Sequence, residues 1–173
     1  MDIYSLIQKR RSVRKYKDTL VDEEKLQRVL RAGCAAPSWG NRQCWRFVVI
    51  RDAAARKRLG VAIADAPFVM EAPIQIVVLA EESDSGIKEG KEYYLADCAI
   101  AVSYMMLAAA NEGLASCCVT AFSENAVRNA LMVPQDKKVA AILPLGYADE
   151  TPAPTPRRRQ SETVFYDTWV NDA

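Results

Sequence analysis

Residues 93–112 constrain the fold more than any other part of the chain. The segment YYLADCAIAVSYMMLAAANE contains no proline or glycine and is hydrophobic on nearly every side of a helical projection. It therefore reads as the longest helix and as the centre of the core, since a helix that is apolar all round must be covered all round. Gly113 follows it as a C-cap residue. The longest apolar stretch inside it, residues 100–110, is interrupted by Ser103 and is too short to span a bilayer.

The other elements arrange themselves around that helix. Asp2 caps a short helix with Ile3, Leu6 and Ile7 on one face, ending in the basic cluster 9–15. Asp22 starts a second helix, with Leu26, Val29 and Leu30 at helical spacing, that ends near Ala36 before Pro37. Residues 37–43 are loop material, and 45–50 alternate as a strand. Asp52 caps a helix predicted to run to about Ala64, and Pro67 marks another break. The β-branched run 74–80 is a buried strand, and the charged, glycine-containing stretch 81–90 is an exposed loop. Short strands are expected at 116–120 and 139–145, with a helix at 123–131 between them.

With 173 residues and no internal repeat, the chain reads as a single domain over 1–173. Its last part differs in character. Thr151-Pro152-Ala153-Pro154-Thr155-Pro156 runs extended, and Val164-Phe165-Tyr166-Asp167-Thr168-Trp169-Val170 is apolar and aromatic. Residues 151–173 have too little chain to bury those aromatics alone, which predicts an arm packed on a partner subunit.

Composition removes several functional classes. Lysines and arginines number 23 against 22 acids, a net charge of +1, so no general attraction to nucleic acid or an anionic membrane is expected. Any bound anion needs a local basic cluster. Histidine is absent. That excludes Ser-His-Asp and Cys-His catalysis, and with scattered cysteines it argues against a metal site. The five cysteines (Cys34, Cys44, Cys98, Cys117 and Cys118) are odd in number and lack CxxC spacing. Together with the lack of a signal-peptide-like apolar run at the N-terminus, they point to free thiols in the cytoplasm.

Three constellations remain. Arg10-Arg11-Ser12-Val13-Arg14 offers forked guanidinium donors and a hydroxyl, the donors of a phosphate pocket, although such clusters are also common as solvated loops. In the segment 36–47, Asn41 and Gln43 can bond the edge of a heterocycle while Gly40 permits close backbone approach; alone, it is equally an ordinary turn. Leu143-Pro144-Leu145-Gly146-Tyr147 is followed by Pro156-Arg157-Arg158-Arg159, a second basic cluster that by itself is a solvated tail.

In this order, and with Asp97-Cys98-Ala99-Ile100-Ala101 leading to Leu107-Ala108-Ala109 and Gly113-Leu114-Ala115-Ser116-Cys117, the chain resembles the FMN-dependent nitroreductase family from Arg10 to Trp169. The resemblance implies an α+β fold, a central mostly antiparallel sheet flanked by helices, intertwined as a homodimer with exchanged C-terminal arms. It implies FMN as cofactor, NADH or NADPH as electron donor, and a small acceptor such as a nitroaromatic or a quinone. Arg10 matches the phosphate-binding arginine, with Arg11 and Ser12 beside it, and Arg157 and Arg158 match the C-terminal phosphate ligands. Arg14 matches the basic residue beside flavin N1 and O2. Pro37, Ser38 and Asn41 match the loop reaching the flavin from the other subunit. Thr120 and Ala121 match the backbone near N5 and O4, Gly146 the turn after the last core strand, and Asp65 a group facing the pyrimidine edge.

No side chain is expected to act as acid or base, because hydride chemistry belongs to the flavin. Thr120-Ala121 and Ala115 depart from the family's commoner glycines, Cys44 from its proline, and Thr155 from a frequent lysine. A specialised flavoenzyme of the same family, such as a dehalogenase or a flavin-modifying enzyme, would share these motifs, as would a non-enzymatic flavin-binding protein.

Overall fold

A computed structural model describes residues 2–63 and 65–169 of the chain. Five helices and a four-stranded sheet carry the architecture. The helices are α1 (Ile3–Lys9), α2 (Glu23–Cys34), α3 (Ala53–Ala62), α4 (Tyr93–Asn111) and α5 (Glu124–Leu131). The sheet, built from β1 (Trp45–Ile50), β2 (Ile74–Glu81), β5 (Ala115–Ser116) and β6 (Lys137–Gly146), has the order β1-β2-β6-β5 with every neighbour antiparallel. This is the α+β fold that the resemblance implies. A separate hairpin joins β3 (Ile87–Lys88) to β4 (Lys91–Glu92).

The sheet separates two cores, which explains the unbroken hydrophobicity of β2. Ile74, Ile76, Val78 and Ala80 face one side, packing with Leu26 and Val29 of α2 and Cys98, Ala101, Val102 and Met105 of α4. Val77 and Leu79 face the other, against Leu59 of α3 and Val127 of α5. Each fully buried aliphatic side chain contributes roughly 1.5–3 kcal/mol relative to exposure. Gln75, the polar residue in the strand, is also fully buried and donates Nε2–H to the Val69 carbonyl at 2.6 Å. The pairing of β2 with β6 slips between Val78 and Leu79, where Ala140 is the extra residue of a bulge.

The capping reading holds where a side chain accepts the first free amides. Asp2, Asp22 and Asp52 all do so, and Ser123 caps α5. Gly113 stops α4 with a φ of 71°.

Several expectations need correction. The strand at 116–120 is only Ala115–Ser116, after which Val119 rejoins β6 through an isolated bridge to Ile142. The stretch 81–90 is not one open loop; it holds a 3₁₀ turn and the first strand of the hairpin. Helix α3 ends at Ala62, and Ala64 lies outside the described residues. Helix α4 is 19 residues and by length and composition could cross a membrane, unlike the apolar run inside it. In this fold its buried apolar residues pack against the sheet and α2 instead, and it also buries Asp97. On α1 only Leu6 is buried, while Ile3 and Ile7 are exposed. Within one chain the C-terminal arm leaves Tyr166 and Trp169 80% exposed, with the Phe165 and Trp169 ring centroids 4.2 Å apart; Val170 and residues 171–173 lie outside the described residues.

Candidate functional site

Arg10 is the C-cap residue of α1, so the helix end delivers its side chain to the start of an extended segment. That segment is fixed on two sides. Ser12 bridges Ser116, and the Val13 amide donates to the Ser116 carbonyl at 3.1 Å. Tyr16, buried below, donates its hydroxyl to the Val13 carbonyl at 2.6 Å. Burial, reinforced by the nearby Cys117 and Glu150, pushes the Tyr16 phenol well above its ordinary value, so it remains a donor.

These constraints produce a cavity of about 300 Å³ lined by Ile7, Gln8, Arg10, Arg11, Ser12, Pro154, Thr155 and Arg157. Two arginine clusters from opposite ends of the sequence thus meet, with no carboxylate in the lining. Arg10 Nη1 is buried and has no hydrogen-bond partner. Arg11 is less free than its neighbour. Its guanidinium donates back to the carbonyls of Gln8 at 2.5 Å and Arg10 at 2.9 Å, closing the end of α1. Arg158 is exposed.

Arg14 leaves this cavity. Its backbone amide donates to a Glu150 carboxylate oxygen at 2.5 Å, as does that of Lys15 at 3.1 Å, while its guanidinium lies 5.8 Å over the Phe68 ring. Nothing in the sequence marks Glu150 as the residue that holds Arg14, because its partners are backbone groups distant in sequence.

Pro37 and Ser38 line a different cavity, of about 360 Å³, with Trp39, Tyr93, Ala96, Asp97 and Ile100. Within one chain they do not meet Arg10. Their loop is tightly wound: Gly40 and Asn41 have φ of 54° and Gln43 has 53°, and Ser38 Oγ accepts the Gln43 amide at 2.9 Å. Thr120 lines a third cavity, of about 470 Å³, between α4 and β6, whereas Ala121 and Asp65 are exposed. Gly146 is not in a turn. It is the last residue of β6 and pairs with Ala115; a Cβ there would fall 2.6 Å from Pro73 Cδ and 3.2 Å from Tyr16 Cδ1. It serves the packing that holds Tyr16. Among the described residues no cluster of His, Cys, Asp or Glu could hold a metal ion.

Comparison with known proteins places this arrangement in a family. The profile of the Nitroreductase family matches residues 7–82 and 64–147. A protein of Archaeoglobus fulgidus, provisionally named an NADH dehydrogenase/NAD(P)H nitroreductase, is 32% identical over 82% of this chain and 83% of its own length. The crystal structure of a nitroreductase family protein from Clostridium difficile 630 superposes with a TM-score of 0.86 at 32% identity, covering 97% of this chain and 99% of that one. An FMN-dependent nitroreductase from Clostridium difficile R20291 has the same TM-score at 28% identity, covering 96% and 100%. The chain belongs to the nitroreductase family. The family's breadth is visible in an iodotyrosine deiodinase of Thermotoga neapolitana, 28% identical over 96% of this chain and 98% of its own length.

Proposed function

We propose that this protein is an FMN-dependent oxidoreductase that carries electron pairs from NAD(P)H to small acceptors such as nitroaromatics or quinones, working as a homodimer. The observation that carries the reading is the Arg10 guanidinium, whose Nη1 is buried without an acceptor in a cavity shared with Ser12 and Arg157. An unsatisfied buried donor costs about 1–3 kcal/mol, and arginines gathered without a carboxylate repel one another. A terminal phosphate monoester supplies both the missing acceptors and the missing charge. The donor set therefore fits FMN.

When bound, FMN supplies the hydride-transfer chemistry. The chain's residues bind and orient. Arg10, Ser12 and Arg157 hold the phosphate, with Arg11 and Arg158 as further positive charge around it. Arg14 supplies positive charge to the ring system, where Thr120, Ala121 and Asp65 are also assigned, and Gly146 keeps the segment beneath Arg14 in place. Pro37, Ser38 and Asn41 contribute from the neighbouring protomer. Supporting the dimer, Leu95 (51% exposed), Ile100 and Tyr104 on α4 leave apolar surface uncovered, as do Tyr166 and Trp169 on the arm.

Truncation after Pro156 removes Arg157 together with the arm aromatics, and is expected to abolish both dimer and FMN binding in light scattering and absorbance. A truncated protein that stays a flavin-loaded dimer contradicts the assignment. An acceptor panel that includes a halogenated aromatic decides between a general reductase and a specialised one like the deiodinase relative.

A further inference from the structure

Among the described residues Asp97 is the one buried acid, 3% exposed, and no ion pair to it occurs among them. A buried carboxylate without a cation is unfavourable unless hydrogen bonds satisfy it. Both of its oxygens have partners, and both partners lie on one loop. Oδ1 accepts the Trp39 amide at 2.8 Å, and Oδ2 accepts the Cys44 thiol at 3.7 Å.

The loop between those two points is wound in a way that needs outside support. Asn41 and Gln43 are non-glycine residues in the left-handed region, a conformation that persists only where the surroundings over-determine it. Ser38 supplies part of that support by accepting the amides of Asn41 through its carbonyl and Gln43 through its hydroxyl. Arg42 anchors the middle of the loop by donating to the Ser83 and Asp84 carbonyls at 2.9 and 3.2 Å, and Asp97 ties its beginning and its end to the central helix. Trp39 is further located by Tyr93, whose ring lies 5.4 Å away, and by Gly86, where a Cβ would fall 2.8 Å from the indole.

We infer that Asp97 is a positioning residue: its carboxylate clamps both ends of the 39–44 loop and thereby fixes the side chains that this loop presents to the cofactor. The inference rests on the reading above in which Pro37, Ser38 and Asn41 contact FMN. Asp97 does not touch the cofactor; it acts through the loop.

The test compares Asp97→Ala with Asp97→Asn, which keeps an oxygen for the Trp39 amide and offers an N–H that the Cys44 sulfur can accept, so both ends of the loop stay tied. Flavin-fluorescence titration is expected to show FMN bound about tenfold or more weakly by Asp97→Ala, and to within about threefold of the natural protein by Asp97→Asn. Hydrogen exchange on the FMN-free proteins is expected to speed up about tenfold or more at the Trp39 and Gln43 amides in Asp97→Ala, while Asp97→Asn remains close to the natural protein. If Asp97→Ala does not fold, Asp97→Ser, which is polar but too short to reach, carries the same expectation. A folded alanine or serine variant with natural FMN affinity and natural exchange overturns the clamp, and so does an equal loss in the asparagine variant. A natural protein that binds no FMN contradicts the cofactor reading instead, and the exchange measurement then decides the clamp alone.

Discussion

Arg10 and Arg157 line one cavity, although the first closes the N-terminal helix and the second lies in the C-terminal arm. Neither is neutralised there by a carboxylate. Their juxtaposition concentrates positive charge where the proposed function puts the FMN phosphate, and it brings the two ends of the chain together. Because no described residue bonds the Arg10 side chain, Arg10→Ala is expected to fold normally and to bind FMN about 1.5–3 kcal/mol more weakly, roughly 10- to 150-fold in Kd. Unchanged affinity in a fluorescence titration contradicts the phosphate assignment.

Arg14 behaves differently because its guanidinium sits over Phe68 rather than in that cavity. Arg14→Ala is expected to keep FMN and to lower its reduction potential. A loss of about 1–3 kcal/mol for a partly buried charge corresponds to a few tens of millivolts in a two-electron couple. Spectroelectrochemistry measures this directly. A variant that sheds FMN at unchanged potential makes Arg14 a phosphate ligand.

Gly146→Ala tests the packing behind the site. The added carbon would meet the rigid Pro73 ring at 2.6 Å. Overpacking of this kind is expected to cost about 1–3 kcal/mol, read as a lower urea midpoint at unchanged m-value. A midpoint within error of the natural protein means that the strand end relaxes freely.

Stability is expected to fall on the alkaline side. Burial, with the charges of Cys117 and Glu150, raises the Tyr16 phenol above its ordinary 10.0, and burial together with Glu92 lifts Tyr94 to about 12. Burial also raises the thiols of Cys44, Cys98 and Cys117 from 9.0. In each case the unfolded chain loses its proton first and binds fewer protons than the folded chain. The stabilisation is therefore complete below about pH 9 and is lost as pH rises through the folded values, with a slope up to about 1.4 kcal/mol per pH unit for each group. Urea unfolding between about pH 8 and pH 11 checks this. A flat profile contradicts it, and Tyr16→Phe is expected to reduce the slope while losing about 1 kcal/mol with the Val13 hydrogen bond.

The core elements were legible because their signals are local. The β-branched run of β2 and the all-round hydrophobicity of α4 follow directly from burial on two faces. The strand expected at 116–120 failed because β-propensity does not reveal that β6 offers Ser116 and Val119 separate partners with a departure between them. On α1 helical spacing groups Ile3, Leu6 and Ile7 on one face, yet only Leu6 is buried, because spacing does not say how much of a face the rest of the chain covers. At the site, the arginine clusters stood out by charge. The contacts of Asp97 and Glu150 did not, since Asp97 accepts a backbone amide and a thiol and Glu150 two backbone amides, all from distant segments, and no residue spacing encodes that. The turn at Gly146 is an implication of the resemblance alone, whereas the structure ends β6 there and leaves no room for a Cβ beside Pro73 and Tyr16.

The most direct measurement is an anaerobic titration of the purified, flavin-stripped protein with FMN, followed by addition of NADH and then NADPH. Binding stoichiometric with the chain, and bleaching of the flavin absorbance by at least one of the two donors, is the expected result. A protein that stays colourless with excess FMN, or that binds FMN and is reduced by neither nucleotide, contradicts the proposed function.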